Sequence, residues 1–131
     1  MTIFTEPELA FLAEAGLARI ATVGVDGTPH VTPTGFTYNP TQDSIDIGGA
    51  QLDRTKKYRD VRRTGRAAVV IDDLPSINPW HVRGIEIRGH AEALDVIRIY
   101  PERVISWGIA DDSPSQRHAR TIRSRPNQRQ A

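Results

Sequence analysis

The sequence predicts a mostly β domain with short helices, closed as a small antiparallel barrel. Three observations point there. Short runs alternate apolar and polar residues, as in Ser44–Gly48 and Arg83–Ala93. Tight turn signals separate the early runs, Gly24-Val25-Asp26-Gly27 and Asn39-Pro40-Thr41-Gln42-Asp43. A single basic, helix-like stretch interrupts the strands between positions 53 and 65. Closing antiparallel strands into a barrel removes their exposed edges.

Taken in order, Thr5-Glu6-Pro7-Glu8 has the form of a capping box, with Thr5 as N-cap and Glu8 three positions on. The helix it opens should run to about Ala15 and stop at Gly16, with Phe4, Leu9, Leu12 and Ala13 as its apolar stripe. Leu17–Val23 reads as a first strand and Thr28–Tyr38 as its returning partner, with Pro29 and Pro33 turned away from a neighbouring strand. Ser44–Gly48 completes a three-strand meander, with Ile45 and Ile47 on one face. Gly48-Gly49 lets the backbone approach something closely.

Thr55 then caps a basic helix that Gly65 ends. Arg66–Asp72 is an apolar strand expected to be buried on both faces, and Asp73–His81, with Pro75, Pro79 and Trp80, reads as a loop. In Arg83–Ala93 the residues Gly84, Glu86, Arg88, His90 and Glu92 share one face and Ile85, Ile87, Gly89 and Ala91 the other. Val96–Tyr100 and Arg103–Trp107 form a last strand kinked at Pro101. Trp80 and Trp107 suit core or dimer packing better than substrate stacking.

Composition excludes several functions. The chain has 131 residues, enough for one domain with its own core, and 25% of them are charged. A net charge of +1 does not advertise nucleic-acid binding. There is no cysteine, hence no disulfide, thiolate zinc site or cysteine nucleophile. The four histidines are scattered, with no pair at metal-ligand spacing. The N-terminus lacks a signal-peptide pattern, and no apolar run approaches the ~20 residues of a membrane span. The expectation is a cytoplasmic protein without membrane or nucleic-acid partners. Residues 1–110 form the domain, and 111–131 an arginine-rich tail, mobile or packed on a partner subunit. That tail lacks the aromatic interleaving that stacks nucleic-acid bases.

The chemistry concentrates at the basic helix. Arg54 and Lys57 lie three residues apart beside the unpaired N–H groups of a helix start, an arrangement suited to a phosphate. A basic solvated face is the other reading of the same residues.

Here the chain resembles a known family. Gly27-Thr28-Pro29-His30-Val31-Thr32-Pro33, the strand ending at Gly48-Gly49, Arg54-Thr55-Lys56-Lys57-Tyr58-Arg59-Asp60-Val61-Arg62-Arg63 and the strand Arg66–Asp72 resemble the pyridoxamine 5′-phosphate oxidase-like flavin and deazaflavin oxidoreductases. Within them the small branch that uses coenzyme F420 is most similar, and Arg83–Gly89 and Arg98–Gly108 extend the likeness.

The resemblance implies an FMN-binding-like split β-barrel, a homodimer with its cofactor at the interface, and hydride transfer to a small-molecule substrate. The cofactor would be F420, with FMN the alternative. On the matching positions, Arg54 and Lys57 would hold the cofactor phosphate, with Lys56 as a further candidate. His30, Thr32, Pro33 and Thr34 would lie against the ring system, and Gly49-Ala50 near the ribityl–phosphate portion. A non-catalytic cofactor-binding protein is the remaining possibility, and no catalytic side chain is assigned. The chain lacks the C-terminal arginine/histidine motif that grips substrate phosphate in true pyridoxamine phosphate oxidases, so vitamin B6 oxidation is not expected.

Overall fold

The computed structural model describes residues 2–109 and 117–122. Its elements are α1 (Glu6–Glu14), β1 (Ala18–Val23), β2 (Pro29–Thr34), β3 (Thr37–Asn39), β4 (Ser44–Ile47), a 3-10 turn (Leu52–Arg54), α2 (Lys56–Thr64), β5 (Arg66–Ser76), β6 (His81–Ala93), β7 (Ile97–Trp107) and β8 (Arg117–Thr121). The molecule is mostly β, and every strand pairing is antiparallel. The sheet runs β2-β1-β5-β6-β7-β4-β3, with β8 added beside β7.

Isoleucine dominates the core. Ile20, Ile45, Ile47, Ile71, Ile85, Ile87, Ile97 and Ile99 are all fully buried. Each sits at an inward position of an alternating strand, where a β-branched side chain packs well on the pleat. Helix α1 covers this core with Phe11 and Leu12, while Ala13 is exposed, so the expected stripe is displaced toward Phe11. The capping box forms as expected: the Glu8 N–H donates to the Thr5 hydroxyl at 3.2 Å, and the Thr5 N–H to Glu8 Oε1 at 3.0 Å.

Several sequence expectations are corrected. The returning strand breaks at Gly35, and its two parts go to opposite edges of the sheet. β2 pairs with β1, whereas β3 pairs with β4, so no three-strand meander exists. β5 does not stop at Asp72; it continues through Pro75 to Ser76, and the expected loop shrinks to a turn before His81. β5 alternates buried and partly exposed residues up to Ile71 instead of burying both faces.

β7 is one continuous strand. A register shift absorbs Glu102 opposite the Arg88–Gly89 step of β6. Gly89 is required there, because an added Cβ would lie 1.9 Å from the Tyr100 carbonyl oxygen. Trp107 packs over Gly84, while Trp80 is 66% exposed at the β5–β6 turn.

Part of the expected tail is structured. Arg117–Thr121 forms β8 on β7 of the same chain, and the rest of 111–131 except Ile122 lies outside the described residues. Arg120 reaches α1 and forms a two-pronged ion pair with Glu8, Nη1 to Oε2 at 3.0 Å and Nη2 to Oε1 at 2.5 Å. Burial by itself raises the Glu8 carboxyl, but Arg120, the Thr5 N–H and Ser106 together hold it below its usual range. Among the described residues no helix is long and apolar enough to cross a membrane.

Removing one member of a buried ion pair strands the other. Arg120→Ala should therefore lower unfolding free energy in urea by about 3 kcal/mol. Arg103→Ala, which removes an exposed hydrogen bond to Thr121, should cost under about 1 kcal/mol by the same measurement.

Candidate functional site

Helix α2 sets the geometry of the site. Thr55 caps it by accepting from the Tyr58 N–H at 3.3 Å, and Gly65 ends it in the left-handed region at φ 69°. One residue on its inner face is charged. Asp60 is only 3% exposed and lies beside the buried Val61. Its Oδ2 accepts from the Thr22 hydroxyl of β1 at 2.8 Å. Its Oδ1 receives Lys56 Nζ at 3.3 Å and lies 3.7 Å from Arg63 Nη2. Arg63 also donates to the Val23 carbonyl of β1.

Burial alone would raise the Asp60 carboxyl. The Thr22 hydroxyl and the Lys56 ammonium outweigh it, so Asp60 titrates below the ordinary carboxylate range. The helix is thereby fixed to the sheet by an ionised, fully partnered side chain.

This attachment brings the start of α2 against β1 and β2 and leaves a groove of about 210 Å³. Its lining comprises Ile20 and Thr22 from β1, His30, Val31 and Thr32 from β2, and Thr55, Lys56 and Lys57 at the helix start. Thr22 and His30 face each other in the strand register. Lys57 makes no ion pair among the described residues. The backbone N–H groups of Lys56 and Lys57 occupy the first two helical positions, where no intrahelical acceptor exists. Two free donors and two ammonium groups therefore border one opening.

The groove gathers His30, Thr32, Lys56 and Lys57 from the residues singled out in the sequence. Pro33 and Thr34 lie further along β2 and are not part of the lining. Gly49 and Ala50 lie beyond the end of β4, exposed, with Gly49 at φ 145°. Arg54 belongs to the 3-10 turn that precedes the helix cap. It does not line the groove, and its carbonyl accepts from Arg59 Nη1 at 2.8 Å. Thr22, Thr55 and Asp60 were not foreseen as site residues. The Lys56–Asp60 spacing of four was the available signal, since such pairs meet on a helix surface.

A phosphate fits this donor set. N–H groups at a helix start and a lysine without an ion pair among the described residues are groups that bind phosphate oxygens, and Thr32 adds a hydroxyl, whereas the Thr22 and Thr55 hydroxyls already donate to Asp60 and to the Leu52 carbonyl. Among the described residues no three His, Asp or Glu side chains gather as metal ligands.

Residues 4–129 match the family model described as pyridoxamine 5′-phosphate oxidase. The chain belongs to this family. It is 37% identical to a 5a,11a-dehydrotetracycline/5a,11a-dehydrooxytetracycline reductase of Streptomyces rimosus, over 91% of this chain and 93% of that protein. It is 33% identical to an F420H(2)-dependent biliverdin reductase of Mycobacterium tuberculosis, over 79% of this chain and 82% of the relative. Among solved structures, a conserved hypothetical protein of Mycobacterium tuberculosis superposes with a TM-score of 0.65 at 19% identity, covering 81% of this chain and 86% of the other. The fold is the split barrel of this family, and its chemistry is oxidoreduction.

The lowered Asp60 carboxyl contributes stability above the unfolded value of about 4, and that contribution fades as pH falls through the folded one. Asp60→Asn should accordingly cost about 1–3 kcal/mol at pH 7 and progressively less below about pH 4. Chemical denaturation across that pH range checks both halves. A constant difference at every pH would remove the assigned role of the Asp60 charge.

Proposed function

We propose that the protein is an F420-dependent reductase that delivers hydride to a small conjugated organic acceptor. The observation that carries this reading is the groove at the start of α2, where Lys56, Lys57, the two N–H groups of the first helical positions and the Thr32 hydroxyl converge. It suits the phosphate of a flavin-type cofactor. The two curated relatives support the choice of chemistry. Both are reductases by name, both names denote extended conjugated substrates, and one name specifies F420H(2).

Under this proposal Lys57 is the principal phosphate anchor, because it lines the groove with no ion pair among the described residues, and Lys56 shares its charge with Asp60. Arg54, one short turn earlier, adds positive potential from beyond the lining. His30, Thr32, Pro33 and Thr34 of β2 form the strand along which the ring system would lie, and Gly49-Ala50 would lie near the ribityl–phosphate portion. When bound, the deazaflavin supplies the hydride. The chain's own work is to fix the phosphate, present one ring face and exclude water.

A second copy completes the site in this proposal. Val31 on β2 is 65% exposed and Val23 on β1 is 47% exposed, apolar surface on the strands that frame the groove. A homodimer would cover it and enclose the ring. A cytoplasmic setting fits a chain without cysteine.

The test is a side-by-side binding titration of F420 and FMN. F420 should bind more tightly. Lys57→Ala should weaken it about ten-fold or more, the scale of a lost hydrogen bond to a charged group, and Arg54→Ala should weaken it less. FMN binding in preference would make the protein a flavin enzyme of the same fold. Unchanged affinity in both variants would remove the anchoring role.

A further inference from the structure

We infer that His30 makes the groove a proton-linked site, its imidazole taking up a proton as the anionic cofactor tail binds; this rests on the groove being the cofactor's phosphate site. The geometry is local and specific. A Cβ added at Gly24 would lie 2.9 Å from His30 Nε2, 3.2 Å from Lys56 Nζ and 3.3 Å from Asp26 Oδ1. Imidazole, ammonium and carboxylate thus meet around one point, and Gly24 leaves them the room. His30 is half-buried and lines the same groove as Lys56 and Lys57.

The charges facing His30 come from two sides. The β1–β2 turn supplies Asp26, and α2 supplies Asp60 together with Lys56 and Lys57, while β1 offers only the neutral Thr22. Asp60 is already neutralised by Lys56 and Arg63. Asp26 is engaged by the Thr28 N–H at 3.0 Å. Thr28 holds Asp26 below its usual range, with a smaller share from His30, so the imidazole and this carboxylate already sense each other. Without a bound anion Lys57, whose charge no ion pair among the described residues offsets, opposes a further positive charge. A bound phosphate cancels that opposition and rewards the imidazolium with a charge-assisted contact. Among the lining residues, imidazole is the side-chain type that exchanges a proton near neutral pH.

The sign follows. Imidazolium favours the anion, so affinity is highest at low pH and declines as pH rises through the histidine range. Some protons are taken up on binding, because the bound state holds the imidazolium longer.

The experiment is isothermal titration calorimetry of F420 and of FMN into the full chain, wild type and His30→Gln, between about pH 5.5 and 8.5. Two buffers of different ionisation enthalpy report proton uptake. The ligand's own titration is common to both proteins, so their difference isolates His30. The dissociation constant of His30→Gln over that of wild type should fall from about ten-fold at the acid end to near one at the alkaline end. Wild type should also take up more protons than the variant near neutrality. The Cε1–H resonance of His30, followed by NMR in the wild type alone, should titrate at higher pH with ligand bound. A pH-independent ratio with equal proton uptake, or an unmoved His30 titration, overturns the proton linkage and leaves the cofactor assignment standing. Failure of the wild type to bind either ligand overturns both.

Discussion

The candidate site depends on one buried carboxylate. Asp60 is charged, almost wholly enclosed, and tolerable there only because Thr22, Lys56 and Arg63 surround it. An unpartnered ion in that position would be prohibitive, so the helix has one acceptable seating on the sheet. That seating directs the open end of α2 toward β2 rather than toward bulk water. The same ion pair also divides the labour of the lysines: Lys56 neutralises Asp60, which leaves Lys57 with its charge unspent at the groove.

Around this anchor the sheet solves a closure problem. The long strands β5, β6 and β7 curl about a layer of isoleucines, and a curl needs a place to bend. The Glu102 bulge opposite Gly89 provides it, with the Tyr100 carbonyl occupying the space a side chain would fill. The ion pair of Glu8 and Arg120 then joins the first helix to the last described strand across the sheet. Both polar contacts are specific: each ties together elements distant in sequence, where apolar packing alone would allow sliding.

What could be read from sequence was mostly local. Thr5, Glu8, Thr55 and Gly65 announce their helix ends because capping is decided within four residues. The inward face of β6 follows from simple alternation. The divergence of β2 and β3 was not legible, because strand partners are chosen by long-range pairing and Gly35 reads equally as a turn or a kink. Pro75 made an extended segment look like a loop, although an edge or bulged position tolerates proline. At the site, the basic helix start by itself indicated Lys57, and the family resemblance added Lys56, His30 and Thr32. The role of Asp60 was hidden, because a single acid among arginines looks like surface until the residue beneath it is known to be Thr22.

The outer rim of β2 has a separate consequence. Its six residues all find register partners on β1, so the prolines at 29 and 33 must turn their nitrogens outward, along with Val31. Of those three outward backbone positions only Val31 keeps a donor. A foreign strand attempting to extend the sheet there would find two of the three donors missing, although the three carbonyls remain. The exposed valine can meet another molecule through its side chain, while backbone-led aggregation along that rim is discouraged.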